Sequence, residues 1–475
     1  MSIHVGEAAQ APKFPVAAKL MLADTQTRHN VRHATDVIRR KRAIVVGEVP
    51  DWEQLRQAGH DIKEHTLKYL PEYLEQFEAN CTAAGGKVHW ARDADEANEI
   101  IVQLVQAHQQ KEVIKVKTMT SDEIGLNHAF EAVGITPHET DLADMIVQLG
   151  DDKPSHIVVP ALHKNRAQIR EIFLRKMKLE SLGDTAEDLA AQARKYLREK
   201  FLRVPIAISG ANFAVADTGS VCVVESEGNG RMCVTLPKVL ISLVGIEKVI
   251  PTYRDLEVFY QLLPRSATGE RMNPYNSMWT GVAPGDGPQE FHVVMLDNGR
   301  TKVMADPETR ETLACIRCGA CLNICPVYRQ TGGHAYGSMY NGPIGAILAP
   351  QLQGLEHSQS LPYASSLCGA CYEVCPVKIN IPEILIHLRA KVVDRGDVPL
   401  IERIAMKGAA IALGSAERFA LAQSLGRIGQ IPFTREGVMH NLPGMLGGWT
   451  DTRDLRALPQ QSFRQWWAEE KEGKH

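Results

Sequence analysis

The sequence predicts an α/β fold with a parallel sheet, joined to a smaller helical domain built around cysteines. Three observations carry this. Between about residues 62 and 300, short β-branched runs alternate with amphipathic helices, the pattern of crossovers that bury a parallel sheet between helices. Seven of the ten cysteines then fall in two short runs, 315–325 and 368–375. A chain of 475 residues also exceeds what one hydrophobic core serves, so several domains are expected. The expected divisions are an N-terminal helical extension (1–60), the α/β domain (61–304), a cysteine domain (305–385) and a helical C-terminal region with a charged tail (386–475).

Taken in order, residues 1–60 are polar and weakly periodic. Arg28, Arg32, Arg39, Arg40, Lys41 and Arg42 stand against Asp36 alone. The plain reading is one solvated helix face; the sharper one is a docking surface for an acidic partner. Tyr69–Ala84 reads as a helix ended by Gly85-Gly86, and Val113–Lys117 as a strand. Thr120-Ser-Asp-Glu123 has the form of a capping box opening a helix that stops at Gly134. His156–Val159 reads as a strand and Asn165–Met177 as a helix.

Val221–Val224 and Met232–Thr235 around Glu227-Gly-Asn-Gly230 read as a hairpin, which would put Cys222 and Cys233 on facing strands. Both, like Cys81, read as small apolar core residues. Leu240–Ile250 is a further strand. Phe291–Leu296, Asp297-Asn298-Gly299 and Thr301–Met304 form a second hairpin signal, and 264–290 reads as a long surface loop. Pro382–Arg395 reads as a helix with Pro in its first turn and Gly396 beyond its end. The pair Trp466-Trp467 reads as buried aromatic packing.

Composition narrows the function. Hydrophobic residues at 44% and charged residues at 23% are those of a soluble globular protein. A net charge of −3 lacks the basic footprint of nucleic-acid binding. There is no secretory leader pattern and no long apolar span. Clustered thiols without a leader read as metal ligands rather than disulfides, which places the protein in the cytoplasm. A peripheral position on the inner face of the membrane is the variant of that expectation.

The first run, Cys315-Ile-Arg-Cys318-Gly-Ala-Cys321-Leu-Asn-Ile-Cys325-Pro326, has the C-x2-C-x2-C-x3-C-P spacing that holds iron–sulfur clusters in bacterial ferredoxins. A shorter copy follows at Cys368-Gly-Ala-Cys371-Tyr-Glu-Val-Cys375-Pro376. Zinc sites use two C-x2-C pairs and lack this arrangement. In two-cluster ferredoxins the fourth cysteine of each run ligates the other cluster. That rule assigns Cys315, Cys318, Cys321 and Cys375 to cluster 1, a [4Fe-4S] cluster, and Cys325, Cys368 and Cys371 to cluster 2. Ser365 stands where a fourth ligand of cluster 2 would be. Three arrangements fit: a three-iron cluster, a four-iron cluster with Ser365, water or another residue on the odd iron, or a ligand from a partner. The long spacer between the runs favours an α-helical ferredoxin domain, and His334 and His357 within it read as ordinary polar residues.

In the α/β part, Ser209-Gly-Ala-Asn-Phe213, Asp217-Thr-Gly219 and the acidic group Glu139, Asp141 and Asp144 fall at strand ends, where open sheets bind ligands. Helix capping explains such carboxylates as well as catalysis does. No nucleotide-binding glycine motif, P-loop or nucleophile elbow is present, so no catalytic residue is assigned.

Together with the two cysteine runs, several stretches resemble the lactate utilization protein B family: Glu139–Leu149, Pro160-Ala-Leu-His163, Ser209–Phe213, Ala216-Asp-Thr-Gly219, Glu227–Arg231, Gly245–Val249, Gly333-His-Ala-Tyr-Gly337 and Gly342-Pro-Ile-Gly345. Leu240 departs from the pattern, which has histidine there. The resemblance implies the sugar-phosphate isomerase/CoA transferase fold for the α/β domain and an electron-transfer role in a three-protein system oxidising L-lactate to pyruvate. It also implies two partners, a cysteine-rich protein resembling heterodisulfide reductase and a smaller α/β relative, with quinone as candidate acceptor. A self-contained oxidoreductase with a substrate site in the α/β domain is the alternative.

Overall fold

The computed structural model describes residues 12–396, 398–451 and 453–472. It divides into two compact units, Met1–Val392 and Val393–His475. The first contains ten strands: β1 (Lys87–Ala91), β2 (Glu112–Lys115), β3 (Thr136–Glu139), β4 (Ile206–Gly210), β5 (Phe213–Val215), β6 (Ser220–Glu225), β7 (Val239–Gly245), β8 (Val249–Ile250), β9 (Tyr275–Trp279) and β10 (Glu290–Leu296).

Six strands form one parallel sheet in the order β1-β10-β7-β4-β2-β3. Its centre is β7, Val-Leu-Ile-Ser-Leu-Val-Gly, in which every residue is buried. A continuous apolar run of this kind marks a strand covered on both faces. Leu240 is fully buried between Ala207 and Phe291 in register, so the departure from histidine falls in the core. A second, four-stranded sheet in the order β8-β5-β6-β9 stands beside the first.

Several local readings are corrected. The segment after β6 is a helix, Asn229–Thr235, and not the return strand of a hairpin. β6 pairs instead with β5 and β9, and Cys222 faces Phe213 and Met278. The second expected hairpin is likewise a strand followed by a helix, Arg300–Met304, because β10 lies between β1 and β7 as a parallel strand. Both turns are glycine-led, and in both the glycine adopts positive φ as an N-cap, Gly228 (87°) and Gly299 (89°). His156–Val159 is not a strand. The loop expected over 264–290 contains β9.

The capping box at Thr120 is absent. Thr118 caps the helix Met119–Glu123 by accepting the Thr120 N–H, which frees Glu123 for another role. Gly125 (φ 61°) separates this turn from Leu126–Ala132.

Glu123, Glu247 and Arg300 lie at the carboxyl end of the parallel sheet. Arg300, with no exposed surface, gives two hydrogen bonds to Glu123 (2.8 and 2.9 Å) and one to Glu247 (2.5 Å). Glu123 also accepts from Asn298 (2.7 Å) and Tyr340 (2.5 Å). Burial alone would push Glu247 up, but Arg300 and Arg317 more than offset it and hold it near 2.

The N-terminal helix Thr25–Gly47 is not a freely solvated face. Arg28 donates to Gln330 (3.0 Å), Arg42 to the Val374 carbonyl (3.1 Å), and Asp36 pairs with Arg329. In the second unit, helices Leu400–Leu413 and Ala416–Gly429 bury none of their residues. Trp466 and Trp467 are 44% and 49% exposed, so the expected burial of that pair is overturned. Among the described residues, no helix is long and apolar enough to cross a membrane.

Removing Arg300 leaves Glu123 buried without its cation and Glu247 with Arg317 as its remaining ion-pair partner. Arg300→Met is expected to lower stability by about 3–5 kcal/mol, read from urea unfolding of the purified chain.

Candidate metal centre

The two cysteine runs share one backbone conformation. In the first, Arg317 (φ 60°) and Gly319 (φ 74°) lead into the helix Ala320–Ile324. In the second, Leu367 (φ 54°) and Gly369 (φ 81°) lead into Ala370–Val374. Cys325 and Cys375 close the two helices with the same extended backbone, φ −68° and −66°, before a proline that cannot continue a helix. The short helices pack on one another. Main-chain amides point at the sulfurs: Arg317 N–H at Cys315 (3.4 Å), Tyr328 N–H at Cys325 (3.5 Å) and Ile379 N–H at Cys375 (3.4 Å).

This packing sorts the thiols into two groups. Cys315, Cys318, Cys321 and Cys375 line one cavity of about 20 Å³, walled by Ile344 and Val377. Cys371 stands within electrostatic range of Cys325 and Cys368. The groups adjoin at Cys321, which is raised by the charge of Cys371 as well as by that of Cys315, Cys318 and Cys375. Each group therefore draws on both runs. None of the seven is in a disulfide.

The donor set fits a cationic cluster. Burial first and neighbouring cysteines second push Cys371 up to about 12, and burial pushes Cys375 to about 11 against the Ile379 and Val377 amides. Cys318 and Cys321 are raised more, for the same two reasons. Thiolates so crowded in a water-poor pocket hold their charge only against a cation, which the irons of a cluster supply. The remaining cysteines behave as core: Cys81 and Cys222 are pushed by burial to about 11 and Cys233 to about 12, and all three are fully buried.

The surroundings of the first group are polar and buried. Arg317 donates to Glu247 (3.3 Å) and stacks on the Tyr340 ring (4.9 Å). Lys63 donates to the Glu247 carbonyl (2.5 Å), and burial beside Lys248 lowers it to about 7. The loop 155–163 covers the same face. Tyr328 O–H donates to the Ser155 carbonyl (2.6 Å), and His156 lies against Gly319 and Asn323. His156 Nδ1 accepts from Val158 and Val159 N–H (3.1 and 3.0 Å), so Nε2 carries the proton and donates to Asn323 (3.1 Å). The second group is more open: Cys368 is exposed, with Leu367, Tyr363 and Tyr372 around 40% exposed beside it in the chain.

Sequence reasoning missed Arg317, Glu247, Arg300 and His156, whose partners lie far off in the chain. The one local signal was Gly245–Val249, which carries Glu247. The other strand-end candidates have structural tasks. Asp141 caps Leu142–Leu149, Glu139 pairs with Lys115 (2.7 Å), Ser209 bonds Ser242 (2.7 Å) and Asp217 accepts the Tyr253 N–H (3.1 Å). His334 bonds the Lys153 carbonyl (2.8 Å) and His357 is half-buried beside Glu356.

Comparison with known proteins follows the same division. Three family models match: LUD domain over residues 74–296, 4Fe-4S dicluster domain over 311–379, and lactate utilisation protein B, C-terminal, over 390–472. The chain is 43% identical over 477 aligned positions to lactate utilization protein B of Oceanobacillus iheyensis, covering 100% of this chain and 98% of that one. It is 41% identical to the proteins of that name from Bacillus thuringiensis and Bacillus cereus, covering 95% of this chain and 96% of theirs. A crystal structure of a DUF162 family protein from Deinococcus radiodurans covers 48% of this chain and 98% of its own at 13% identity, with a TM-score of 0.28.

His156 generates a pH prediction. Burial and the neighbouring Lys117 lower it from 6.5 to about 3. Between those values the unfolded chain takes up a proton that the native state refuses, so stability falls as pH falls from 6.5. His156→Asn keeps a short-range acceptor for the Val158 and Val159 amides and removes the titration. It is expected to flatten the acid limb by up to about 1.4 kcal/mol per pH unit, measured by urea unfolding between pH 7 and pH 5.

Proposed function

The chain belongs to the lactate utilization protein B family, and from that premise we propose that it is the electron-transfer subunit of a lactate-oxidising complex, with two iron–sulfur clusters as its working parts. The observation that carries the proposal is the sorting of seven thiols into two adjoining groups, each drawn from both runs. Cys315, Cys318, Cys321 and Cys375 hold a [4Fe-4S] cluster, and Cys325, Cys368 and Cys371 hold a second. When bound, such clusters accept and release electrons singly. The protein's own share is to hold seven thiolates, direct amide N–H groups at their sulfurs and exclude water from the first group with Ile344, Val377 and the loop 155–163.

The α/β domain, in the sugar-phosphate isomerase/CoA transferase fold, would supply the face through which electrons enter. The partners are a cysteine-rich protein resembling heterodisulfide reductase and a smaller α/β relative, in the cytoplasm, with quinone as final acceptor. A groove of about 600 Å³ supports docking of an acidic partner beside the clusters. It is lined by Arg39, Arg40 and Arg42 over Ile38 and Ile324, and by Asn323, whose buried Nδ2 has no partner. A self-contained oxidoreductase is the second reading. It is favoured by carboxyls at the sheet end that burial raises toward neutrality, Asp122 to about 6 and Glu227 to about 7.

One preparation tests both readings. The full chain, purified without oxygen, is expected to contain about seven to eight irons, four in the first cluster and three to four in the second. It is expected to reduce and reoxidise reversibly and to leave lactate unconverted when supplied with an artificial acceptor. Irons sufficient for one cluster alone would end the two-cluster reading, and lactate turnover without partners would establish the second.

The groove is tested separately. The double substitution Arg39→Glu with Arg40→Glu is expected to reduce co-purification with the two partner proteins by tenfold or more at low salt, the order set by losing two desolvated charge pairs. Iron content should be unchanged.

A further inference from the structure

Cluster 2 has three thiols for four corners, and the backbone repeat identifies what stands at the fourth. We propose that Ser365 Oγ is a ligand of the odd iron of cluster 2, making it a four-iron cluster held by three cysteines and one serine. This rests on the two-cluster reading above and deepens it.

The argument is one of register. Cys315 and Ser365 open the two runs at equivalent positions. Two residues on, Arg317 and Leu367 share positive φ; two further, Gly319 and Gly369 do so again. Leu322 N–H meets the Gly319 carbonyl at 3.0 Å, and Tyr372 N–H meets that of Gly369 at 2.9 Å. Asn323 and Glu373 N–H make the next bonds, both at 3.3 Å, and Cys325 and Cys375 N–H close the helices, both at 3.2 Å. The side chains at the head of each run behave alike too. Cys315 Sγ accepts the Arg317 N–H (3.4 Å), and Ser365 Oγ accepts the Leu367 N–H (3.1 Å). A serine makes that bond in many turns, but here the equivalent cysteine makes it while lining the cavity of cluster 1. Ser365 therefore presents oxygen where the first run presents sulfur.

A second feature holds it there. Arg389 donates to the carbonyls of Pro362 (2.8 Å) and Ser365 (3.2 Å) while lying 5.1 Å over the Tyr363 ring. The guanidinium fixes the backbone on both sides of Tyr363, and with it the place from which the Ser365 side chain projects. As the Fe–O bond forms, the hydroxyl proton passes to solvent and no electron moves.

The test uses the full chain, prepared without oxygen, with iron and sulfide analysis, Mössbauer spectroscopy and electron paramagnetic resonance. Wild type is expected to hold about eight irons, four per cubane, with one iron of cluster 2 in an oxygen environment. Ser365→Ala should lose about one iron per chain, and its oxidised form should gain the paramagnetic signal of a three-iron cluster. Ser365→Cys should keep all the irons, restore an all-sulfur Mössbauer pattern and shift the signal of reduced cluster 2. Wild-type iron content and spectra in Ser365→Ala would overturn the proposal, as would a three-iron cluster already present in wild type. About four irons in wild type would instead remove the two-cluster reading beneath it.

Discussion

The structure depends first on a buried charge relay, Glu123–Arg300–Glu247–Arg317, that runs from the end of the parallel sheet into the first cysteine run. Glu123 follows β2, Glu247 follows β7 and Arg300 follows β10, so three separate crossovers converge on one guanidinium. Burying four charges has a large desolvation cost, which is recovered only when every partner is in place. That condition makes the relay a register device. Arg317, in the loop between Cys315 and Cys318, reaches Glu247 and lies over Tyr340, which ties the first run to the end of the sheet. The α/β domain and the cysteine segment are thereby one folding problem, and the division by contacts keeps them in a single unit.

A second electrostatic condition acts inside the runs. Every buried thiol there whose acidity shifts is pushed upward, first by loss of water and then by other cysteines. A pocket that raises thiols in this way opposes thiolate until a cation arrives, so metal binding and packing are coupled. The amides directed at Cys325 and Cys375 lower part of that cost.

How much of this was legible in the sequence varied with the range of the interactions. The helix Ile381–Asp394, the capped helix Arg166–Lys176, the parallel sheet and both cysteine runs could be read locally, because spacing, caps and apolar periodicity are properties of neighbouring residues. Both hairpin readings failed for one reason. A glycine-led turn after a β-branched run opens a helix as readily as it returns a strand, and only the neighbours of β6 and β10 decide between them. Glu123 was read as half of a capping box, yet its partner lies 177 residues away on Arg300. The arginine-rich helix looked like one solvated face because nothing near it in sequence shows Gln330, Arg329 or Val374.

The two thiol groups also differ in what surrounds them, and the difference bears on direction. The first group is enclosed by Ile344, Val377 and the loop around His156, and it meets the sheet end through Arg317. The second meets solvent at Cys368, with Leu367, Tyr363 and Tyr372 exposed nearby in the chain. Positive charge beside a cluster favours its reduced form, because the added electron makes the cluster more negative. Arg317 brings positive charge to the first group, but it is paired with the ionised Glu247, and burial lowers Lys63 to about 7 and Lys248 to about 8, so the charges of both signs there largely balance. Arg389 stands at the solvent-facing edge of the second, where water screens it. A difference in potential between clusters held in the two groups would therefore come from exposure, neighbouring charge and donor type together, with Ser365 heading the second run where Cys315 heads the first.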